Sequence, residues 1–477
     1  MQNQMQDPIT VDVAVIGAGT AGMNAYSTLR KAGAHAVLID QGPLGTTCAR
    51  AGCMPSKAVL QAGKRWEALR SLLPAAHQAD PLQVLPAGTI TPQQLWMQAL
   101  ATRDALVEGN IRQLHELAGD DLLLASAHFT SAQSLLLSDG RTVQAKAFVL
   151  ATGSEPVRPP ELQQAIGDRL ITTDELFELK EVPRSMAVVG LGPLGLEMSV
   201  ALHRLGARVV ATGRSPKLAQ MDDPEVNAAA LAYFGAQFPM AFETQVQAER
   251  KAQGAVRFTA GALQADVDWV LAAAGRTPRV AGLQLERAGA QFDAQGRLHW
   301  DKTTQQVHGL PLFVAGDAAG DRPLMHEAAV GGVIAAQQAL QWLGRPAPQP
   351  LRKRSVPMGM VFSDPDLATV GLRFHQLPAD AVVATTRGSG NGRSKIMQAS
   401  HHVLRLYADA SSRKLLGASL FCAGGEHLAH QLAWAVQRGE TAESLRDLPY
   451  YHPTVEEMID NALKELRKAF QQRSVRG

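Results

Sequence analysis

Two cysteines, Cys48 and Cys53, form a Cys-x4-Cys pattern, and the chain of 477 residues contains only three cysteines. A pair at this spacing, placed at the start of a helix, can close as a local disulfide. The positive end of the helix dipole and a nearby lysine, here Lys57, lower the pKa of a thiol and make it a better nucleophile. The pattern therefore predicts a redox-active pair that works beside a bound cofactor.

Two other interpretations of the cysteine pair are open at this point. The cysteines could be buried structural thiols, or they could be half of a metal site. A metal site needs further Cys or His ligands at suitable spacing, and the third cysteine, Cys422, stands alone. We interpret Cys422 as a small buried hydrophobe. No metal is expected, and the redox interpretation is preferred.

Two glycine-rich loops have the form that binds dinucleotides. The first, Gly17-x-Gly19-x-x-Gly22, follows an apolar run at 11–16 and opens a helical pattern, and Asp40 ends the next apolar run. The second, Gly190-x-Gly192-x-x-Gly195, has the same context. Glycines in such a loop let the backbone approach a pyrophosphate at a helix N-terminus, and the acid accepts the ribose hydroxyls. The two loops and the dithiol predict two nucleotides in one electron chain.

Composition excludes several other classes of protein. The 46 basic and 44 acidic residues nearly cancel, and aromatic residues are only 5% of the chain, so nucleic acid is not an expected partner. Residues 1–7 are polar and lack the basic and apolar regions of a signal peptide. No apolar run reaches the length of a membrane span. The few cysteines fit a reducing compartment, and we expect a cytoplasmic protein without membrane contact.

The apolar periodicity predicts an α/β chain, and a length of 477 residues predicts about three domains. The main expected strands are at 34–39, 147–151, 208–211, 267–273 and 312–315. The main expected helices are at 58–73, 92–117, 427–437 and 455–470. Further β segments are expected around 358–370 and 404–406. Prolines 156, 159 and 160 indicate a crossing between domains, and the proline-rich stretch 345–350 indicates a linker.

Taken together, these motifs resemble the flavoprotein disulfide reductases, the family of dihydrolipoamide dehydrogenase, glutathione reductase and mercuric reductase. The likeness extends over essentially the whole chain, in order. It rests on both glycine loops, on the dithiol with Pro55-Ser-Lys57, and on four further motifs: Ala151-Thr-Gly153, Gly275-Arg276-Thr-Pro278, Phe313-Val-Ala-Gly316-Asp317 and His452-Pro-Thr-Val-Glu-Glu457.

The resemblance implies a role for each residue of the redox centre. Cys53, nearer the flavin, forms the charge-transfer thiolate, and Cys48 exchanges with the disulfide substrate. His452 is the acid–base group that manages the proton on Cys48 and on the substrate sulfur, while Glu457 holds its imidazole. Without the resemblance, a lone histidine such as His452 is more often structural.

The resemblance also implies the cofactors, FAD and NAD(P)H. Lys57 and Glu197 are similar to the ion pair beside flavin N5, and Asp317 is similar to the residue that binds the ribityl chain. The cofactor-binding residues expected on this basis fall into two groups. The first, for the flavin nucleotide, is Gly17, Gly19, Gly22, Asp40, Lys57, Gly153, Gly316 and Asp317. The second, for the nicotinamide nucleotide, is Gly190, Gly192, Gly195, Arg214, Gly275 and Arg276.

The domain arrangement follows from the same resemblance. Two Rossmann-like dinucleotide-binding domains, one for FAD and one for NAD(P), precede a C-terminal α+β dimerisation domain. The expected bounds are 1–153 with 275–347 for FAD, 154–274 for NAD(P) and 348–477 for dimerisation. The expected partner is a second copy of the chain, in a homodimer whose active sites are shared between subunits.

Three sequence features favour lipoamide over glutathione as the disulfide substrate. Met54-Pro-Ser-Lys57 and Leu324-Met-His326 are closer to the lipoamide enzymes, and Ser27 replaces an arginine that grips glutathione in many glutathione reductases. Lipoamide, free or on lipoyl domains, is therefore the first expected substrate, and glutathione or a related small disulfide is the second. A flavin-binding redox sensor without turnover is the alternative of another class, and the intact dithiol argues against it.

The residues expected to bind the nicotinamide nucleotide differ from those of the lipoamide enzymes. The strand after the second glycine loop ends in Gly213-Arg214, where lipoamide enzymes usually carry a glutamate for the adenosine ribose. A 2′-phosphate needs a cation and no nearby carboxylate, so Arg214, with help from Lys217, slightly favours NADPH. Arg214 could also be an ordinary loop charge.

Overall fold

A computed structural model describes residues 7–78, 81–252 and 254–476. Residues 1–6, which belong to the segment interpreted above as lacking the features of a signal peptide, lie outside the described residues. The helices are α1 Thr20–Lys31, α2 Thr47–Arg50, α3 Cys53–Ser71, α4 Pro92–Ala118, α5 Pro160–Ile166, α6 Thr173–Leu176, α7 Pro193–Arg204, α8 Pro224–Gly235, α9 Met325–Trp342, α10 Gly392–Ile396, α11 Gly425–Arg438, α12 Ala442–Arg446 and α13 Glu457–Arg476.

The strands alternate with these helices along the chain. They are β1 Ile9–Ile16, β2 Ala36–Asp40, β3 Leu122–Leu124, β4 Ala127–Ser131, β5 Ser134–Leu137, β6 Thr142–Leu150, β7 Ser154–Pro156, β8 Leu170–Ile171, β9 Ser185–Val189, β10 Arg208–Gly213, β11 Met240–Phe242, β12 Val246–Arg250, β13 Val256–Ala260, β14 Leu263–Val267, β15 Trp269–Ala272, β16 Arg276–Pro278, β17 Leu312–Val314, β18 Met358–Val361, β19 Asp366–Gly371, β20 Val382–Arg387, β21 Val403–Ala408 and β22 Leu415–Cys422.

The chain divides into two compact units. The first contains the chain up to Pro55, Ala101–Val157 and Arg276–Arg354, and the second contains Ser56–Leu100, Arg158–Gly275 and the chain from Ser355 onward. Helices α3 and α4 each begin in one unit and end in the other, so Cys48 and Cys53 belong to the first unit and Lys57 to the second.

The first unit is built on a seven-stranded sheet with the order β3-β2-β1-β6-β5-β4, in which β17 also pairs with β6. Strand β1 runs parallel to β2 and β6. Residues 11–16 of β1 are all buried, as expected for an apolar, β-branched strand covered on both faces. Helix α9 packs against α1 so closely that a Cβ on Gly332 would lie 2.1 Å from the Ala21 oxygen.

The second unit contains three sheets. A five-stranded parallel sheet has the order β11-β10-β9-β15-β8, and β12, β13 and β14 form a small antiparallel sheet. The third sheet, β18-β19-β22-β21-β20, is antiparallel and shares an apolar core with the helices near the C-terminus, built on residues such as Leu420, Leu428 and Leu463. These sheets confirm the predicted α/β class with two Rossmann-like regions and a C-terminal α+β region.

Several element boundaries differ from the expected ones, for local reasons. The second strand begins at Ala36 and not at residue 34, because the Ala34 N–H donates to the Leu29 oxygen and so closes the preceding helix. The strand expected at 267–273 is two strands, because the chain turns at Asp268, whose carboxylate accepts hydrogen bonds from Ser185. The sheet of β12, β13 and β14 was not expected from the sequence.

No described helix combines the length and apolar character that crossing a membrane requires.

Candidate redox centre and nucleotide-binding loops

The first glycine loop joins β1 to α1 in the shape of a phosphate cradle. Gly17 has a φ of +105°, and a Cβ there would lie 2.2 Å from the Ala151 oxygen, while a Cβ on Gly22 would lie 1.8 Å from the Gly17 oxygen. Neither position accepts a side chain. A Cβ on Gly19, in contrast, meets no atom within 4 Å. The open side of the loop therefore lies at Gly19, the residue that precedes the N-terminus of α1, where an anion is favoured.

Two further polar groups of the first unit fit a dinucleotide. Asp40 ends β2, and its two carboxylate oxygens accept hydrogen bonds from the Ala18 and Gly42 N–H groups, both at 2.7 Å, which fixes the carboxylate beside the loop. The Thr152 hydroxyl, just after the strand that faces Gly17, is buried and has no partner among the described residues. An unpaired buried hydroxyl is costly, and a nucleotide beside this loop would satisfy it. The residues present fit FAD.

A hydrogen-bonded relay fixes Asp317. The Ser154 hydroxyl donates to Asp317 Oδ2 at 2.7 Å, and Arg276 donates to the Ser154 hydroxyl and carbonyl oxygens, both at 2.8 Å. Strands β7 and β16, which contain Ser154 and Arg276, pair with each other. Gly153 and Gly316, which precede Ser154 and Asp317, both have positive φ. The structure thus brings four expected site residues together through Ser154, which the sequence did not single out.

The two cysteines lie at the starts of adjacent helices. Cys48 is half-buried in the short helix α2, whose N-cap Thr46 accepts a hydrogen bond from Ala49 N–H, and Cys53 is exposed as the first residue of α3. Gly52 makes the turn between them. A Cβ on Gly52 would lie 2.9 Å from the Thr47 oxygen and 3.2 Å from Cys48 Cα, so a side chain there would force the backbone beside Cys48 to shift.

Lys57 follows Cys53 by about one helical turn and forms an ion pair with the buried Glu197. The Lys57 Nζ lies 2.9 Å from both Glu197 carboxylate oxygens, and the side chains are 34% and 3% exposed. Glu197 Oε1 also accepts a hydrogen bond from the Phe362 N–H at 3.0 Å. A buried carboxylate persists only with such partners. The ammonium group of the pair is thus carried by α3, the helix that begins at Cys53.

The second glycine loop repeats the geometry of the first. Gly190 has a φ of +110°, and a Cβ there would lie 2.3 Å from the Ala273 oxygen, while a Cβ on Gly195 would lie 1.8 Å from the Gly190 oxygen. Gly192 precedes α7, and a Cβ there meets no atom within 4 Å. Gly275 is also open, with a φ of +113°. The second loop therefore has the same open phosphate cradle.

The end of β10 is less open than the sequence suggested. Arg214 and Lys217 are exposed, but a Cβ on Gly213 would lie 3.0 Å from the Phe242 ring, so a larger residue fits there only if Phe242 moves. The backbone of Glu243 also adjoins this loop, because its N–H donates to the Gly213 oxygen at 3.1 Å. No motif in the sequence indicated that Glu243 adjoins this loop.

His452 and Glu457 form a hydrogen-bonded pair. His452 Nδ1 lies 3.0 Å from Glu457 Oε1, and the Thr454 N–H donates to Glu457 Oε2 at 3.0 Å. The hydrogen bonds from His452 and from Thr454 hold the pKa of Glu457 below its ordinary value. The imidazole is 76% exposed. The carboxylate fixes the orientation of a ring that remains open to other molecules.

The third cysteine and the possibility of a metal site were the remaining points raised by the sequence. Cys422 is fully buried, and burial raises the pKa of its thiol well above the ordinary value. Within the described ranges, no three His, Cys, Asp or Glu side chains are grouped as metal ligands would be.

Comparison with known proteins gives a consistent family. Residues 11–338 match the family model of the pyridine nucleotide-disulphide oxidoreductases, and residues 357–463 match the model of their dimerisation domain.

Individual relatives cover nearly the whole chain. A dihydrolipoyl dehydrogenase of Bacillus subtilis is 28% identical over 472 residues, which cover 94% of this chain and 97% of the relative. A mercuric reductase of Staphylococcus aureus is 30% identical over 458 residues, 91% of this chain and 79% of the relative.

A solved structure has the same fold. The HOCl-induced flavoprotein disulfide reductase RclA from Escherichia coli superimposes with a TM-score of 0.80 at 22% identity, over 95% of this chain and 99% of that one.

Proposed function

Because the chain belongs to the pyridine nucleotide-disulphide oxidoreductase family, we propose that it passes electrons between NAD(P)H and a small disulfide through Cys48 and Cys53. The family consists of flavoprotein oxidoreductases that act on sulfur groups. The observation that carries the proposal is the dithiol at the starts of α2 and α3, together with Lys57, which lies on the same helix as Cys53 and pairs with Glu197 of α7.

The chain's own residues would hold two nucleotides. FAD would lie on the loop at Gly19, with Asp40 at the ribose and Asp317 at the ribityl chain, and the nicotinamide nucleotide would lie on the loop at Gly192. When bound, FAD supplies the two-electron exchange between the nicotinamide and the dithiol. The glycine loops contribute N–H groups at helix N-termini, which bind and orient the phosphates.

The dithiol residues have distinct proposed roles. Cys53, at the N-terminus of α3, is the thiol whose thiolate the helix dipole and the Lys57 charge favour. Cys48 attacks the substrate disulfide as a thiolate, which forms a mixed disulfide and displaces one substrate sulfur. Cys53 then attacks Cys48 Sγ, which forms the Cys48–Cys53 disulfide and displaces the second substrate sulfur, so that the dithiol is oxidised as the substrate is reduced.

His452 would manage the protons of this exchange. With Nδ1 engaged by Glu457, the other ring nitrogen, Nε2, is the one that can take a proton from Cys48 and donate it to the departing substrate thiol. Glu457 stabilises the protonated imidazole and fixes its orientation.

Lipoamide is the proposed first substrate, and glutathione or a related disulfide is second. The support is the lipoamide-like motif around Lys57, the absence of an arginine at Ser27, and the relatives that are dihydrolipoyl dehydrogenases.

NADPH is proposed as slightly favoured over NADH. The exposed Arg214 and Lys217 can donate charge-assisted hydrogen bonds to a 2′-phosphate. Glu243, whose backbone adjoins Gly213, works against that charge and keeps the proposed preference small.

The assembly proposal is a homodimer, supported by the match to the dimerisation domain at 357–463. The division into an FAD domain at 1–153 with 275–347, an NAD(P) domain at 154–274 and a dimerisation domain at 348–477 is kept as part of the proposal. We also keep the cytoplasm as its proposed location, since three cysteines suit a reducing compartment.

One assay tests the proposed function. Specificity constants are measured for lipoamide and for oxidised glutathione, each with NADH and with NADPH, on the wild type and on Cys48→Ser. We expect the highest specificity constant with lipoamide and loss of turnover in Cys48→Ser. Absence of turnover with both disulfides in the wild type would contradict it.

A further inference from the structure

Phe362, the residue after β18, contacts both partners of the ion pair. Its N–H donates to Glu197 Oε1 at 3.0 Å, and its ring lies under the Lys57 ammonium, with 4.6 Å between Nζ and the ring centroid. All three residues belong to the second unit. Nothing in the spacing of the sequence indicated that Phe362 would meet this pair.

The two helices that carry the pair are held at a fixed distance. A Cβ on Gly63 of α3 would lie 2.9 Å from the Ala201 oxygen of α7, so the helix backbones are in contact. Asp364 accepts hydrogen bonds from Lys64 of α3 at 3.4 Å and from Arg204 of α7 at 2.9 Å. The short segment with Phe362 and Asp364 therefore contacts both helices at two levels.

Backbone contact alone does not fix the position of the Lys57 charge. Lysine has a long, flexible stem, and the Lys57 side chain is 34% exposed, so several rotamers could satisfy the ion pair. An aromatic face attracts an ammonium group and restricts it to the region above the ring. The Phe362 N–H holds Glu197 in turn, and one residue thereby fixes the carboxylate and the ammonium together.

We propose that Phe362 is a positioning residue for Lys57. Its ring holds the ammonium, and its N–H holds the Glu197 carboxylate, so that the charge stands at one place near the N-terminal end of α3. The inference rests on the proposed function only where the consequence for electron transfer is concerned, because the placement of Lys57 can be measured without turnover.

The first test measures the placement of Lys57 directly. In protein labelled with ¹³Cε-lysine and assigned with Lys57→Arg, the ring current of Phe362 should shift the Lys57 ε-proton signal upfield. Phe362→Tyr should keep the shift and Phe362→Leu should abolish it. Phe374→Leu is the matched control, since it removes a ring that lies 5.3 Å from the Arg405 guanidinium and should leave the Lys57 signal unchanged. No upfield shift in the wild type would overturn the proposal without any variant.

The second test measures the consequence in the holoenzyme. Phe362→Leu should lower the rate of flavin reduction by NAD(P)H about three- to tenfold, as expected for loss of one partly exposed cation–π contact, and should change the flavin midpoint potential. Phe362→Tyr should restore both. An unchanged rate and potential in Phe362→Leu would overturn the positioning role. Absence of flavin reduction in the wild type would instead refute the proposed function, while the Lys57 signal still decides the placement.

Discussion

Alanine at Gly19 or at Gly192 should weaken the binding of one nucleotide and leave the fold intact. Both glycines are N-caps in extended conformations, with φ of −74° and −67°, which alanine adopts readily. A Cβ at either position meets no protein atom within 4 Å. The methyl group would therefore occupy the space that a pyrophosphate needs, and it would meet nothing else.

The expected magnitudes differ sharply between folding and binding. Alanine is a poorer N-cap than glycine but reduces the entropy of the unfolded chain, and these effects nearly cancel, so stability should change by less than about 1 kcal/mol. A backbone N–H that donates to a charged oxygen contributes about 1.5–3 kcal/mol. Loss of one such bond should weaken binding roughly tenfold to 150-fold.

The assay is a crossed titration. Gly19→Ala should bind FAD roughly tenfold to 150-fold more weakly than the wild type and unfold at nearly the wild-type temperature as apoprotein. Gly192→Ala should keep wild-type FAD affinity and bind NAD(P)H more weakly. Gly22→Ala is the contrasting variant, because its Cβ would lie 1.8 Å from the Gly17 oxygen and should destabilise the protein itself. Wild-type FAD affinity in Gly19→Ala would refute the assignment of this loop.

Further predictions concern specificity, stability and assembly. Arg214→Ala should lower the NADPH-to-NADH ratio of specificity constants about five- to tenfold, and Glu243→Gln should raise it, in steady-state assays; an unchanged ratio in both would show that this loop does not read the 2′-phosphate. Burial raises the pKa of Asp366 to about 6, above its unfolded value, so its contribution to stability is present at low pH and is lost as the pH rises through about 6. Asp366→Asn should therefore stabilise the protein by about 1–3 kcal/mol at pH 8 and by nothing at pH 4 in chemical denaturation, and equal effects at both pH values would contradict this. Mixing inactive Cys48→Ser and His452→Ala subunits should restore part of the activity, and no recovery despite proven subunit exchange would mean that each site is built within one chain.

The sequence predicted those parts of the fold and site that local chemistry determines. The two glycine loops require strand–loop–helix geometry, and both have it, down to the open Cβ direction at Gly19 and Gly192. The pairs Lys57–Glu197 and His452–Glu457 were expected from the family resemblance, and each is hydrogen-bonded in the structure. The roles assigned to these pairs stay predictions.

What the sequence did not predict depends on contacts between distant segments. Ser154 joins Arg276 to Asp317, and Phe362 meets Lys57, across more than a hundred residues in each case. Neither residue stands in a pattern with a chemical meaning of its own. The obstruction of Gly213 by Phe242 has the same origin, since it arises only when β10 pairs with β11.

The most direct test of the central claim compares Cys48→Ser and Cys53→Ser in one stopped-flow experiment with NAD(P)H and lipoamide. If Cys48 and Cys53 have the proposed roles, Cys48→Ser keeps flavin reduction and a long-wavelength absorption band from the Cys53 thiolate but loses lipoamide turnover. Cys53→Ser should lose both the band and the turnover. If both variants reduced lipoamide at the wild-type rate, electrons would not pass through this dithiol.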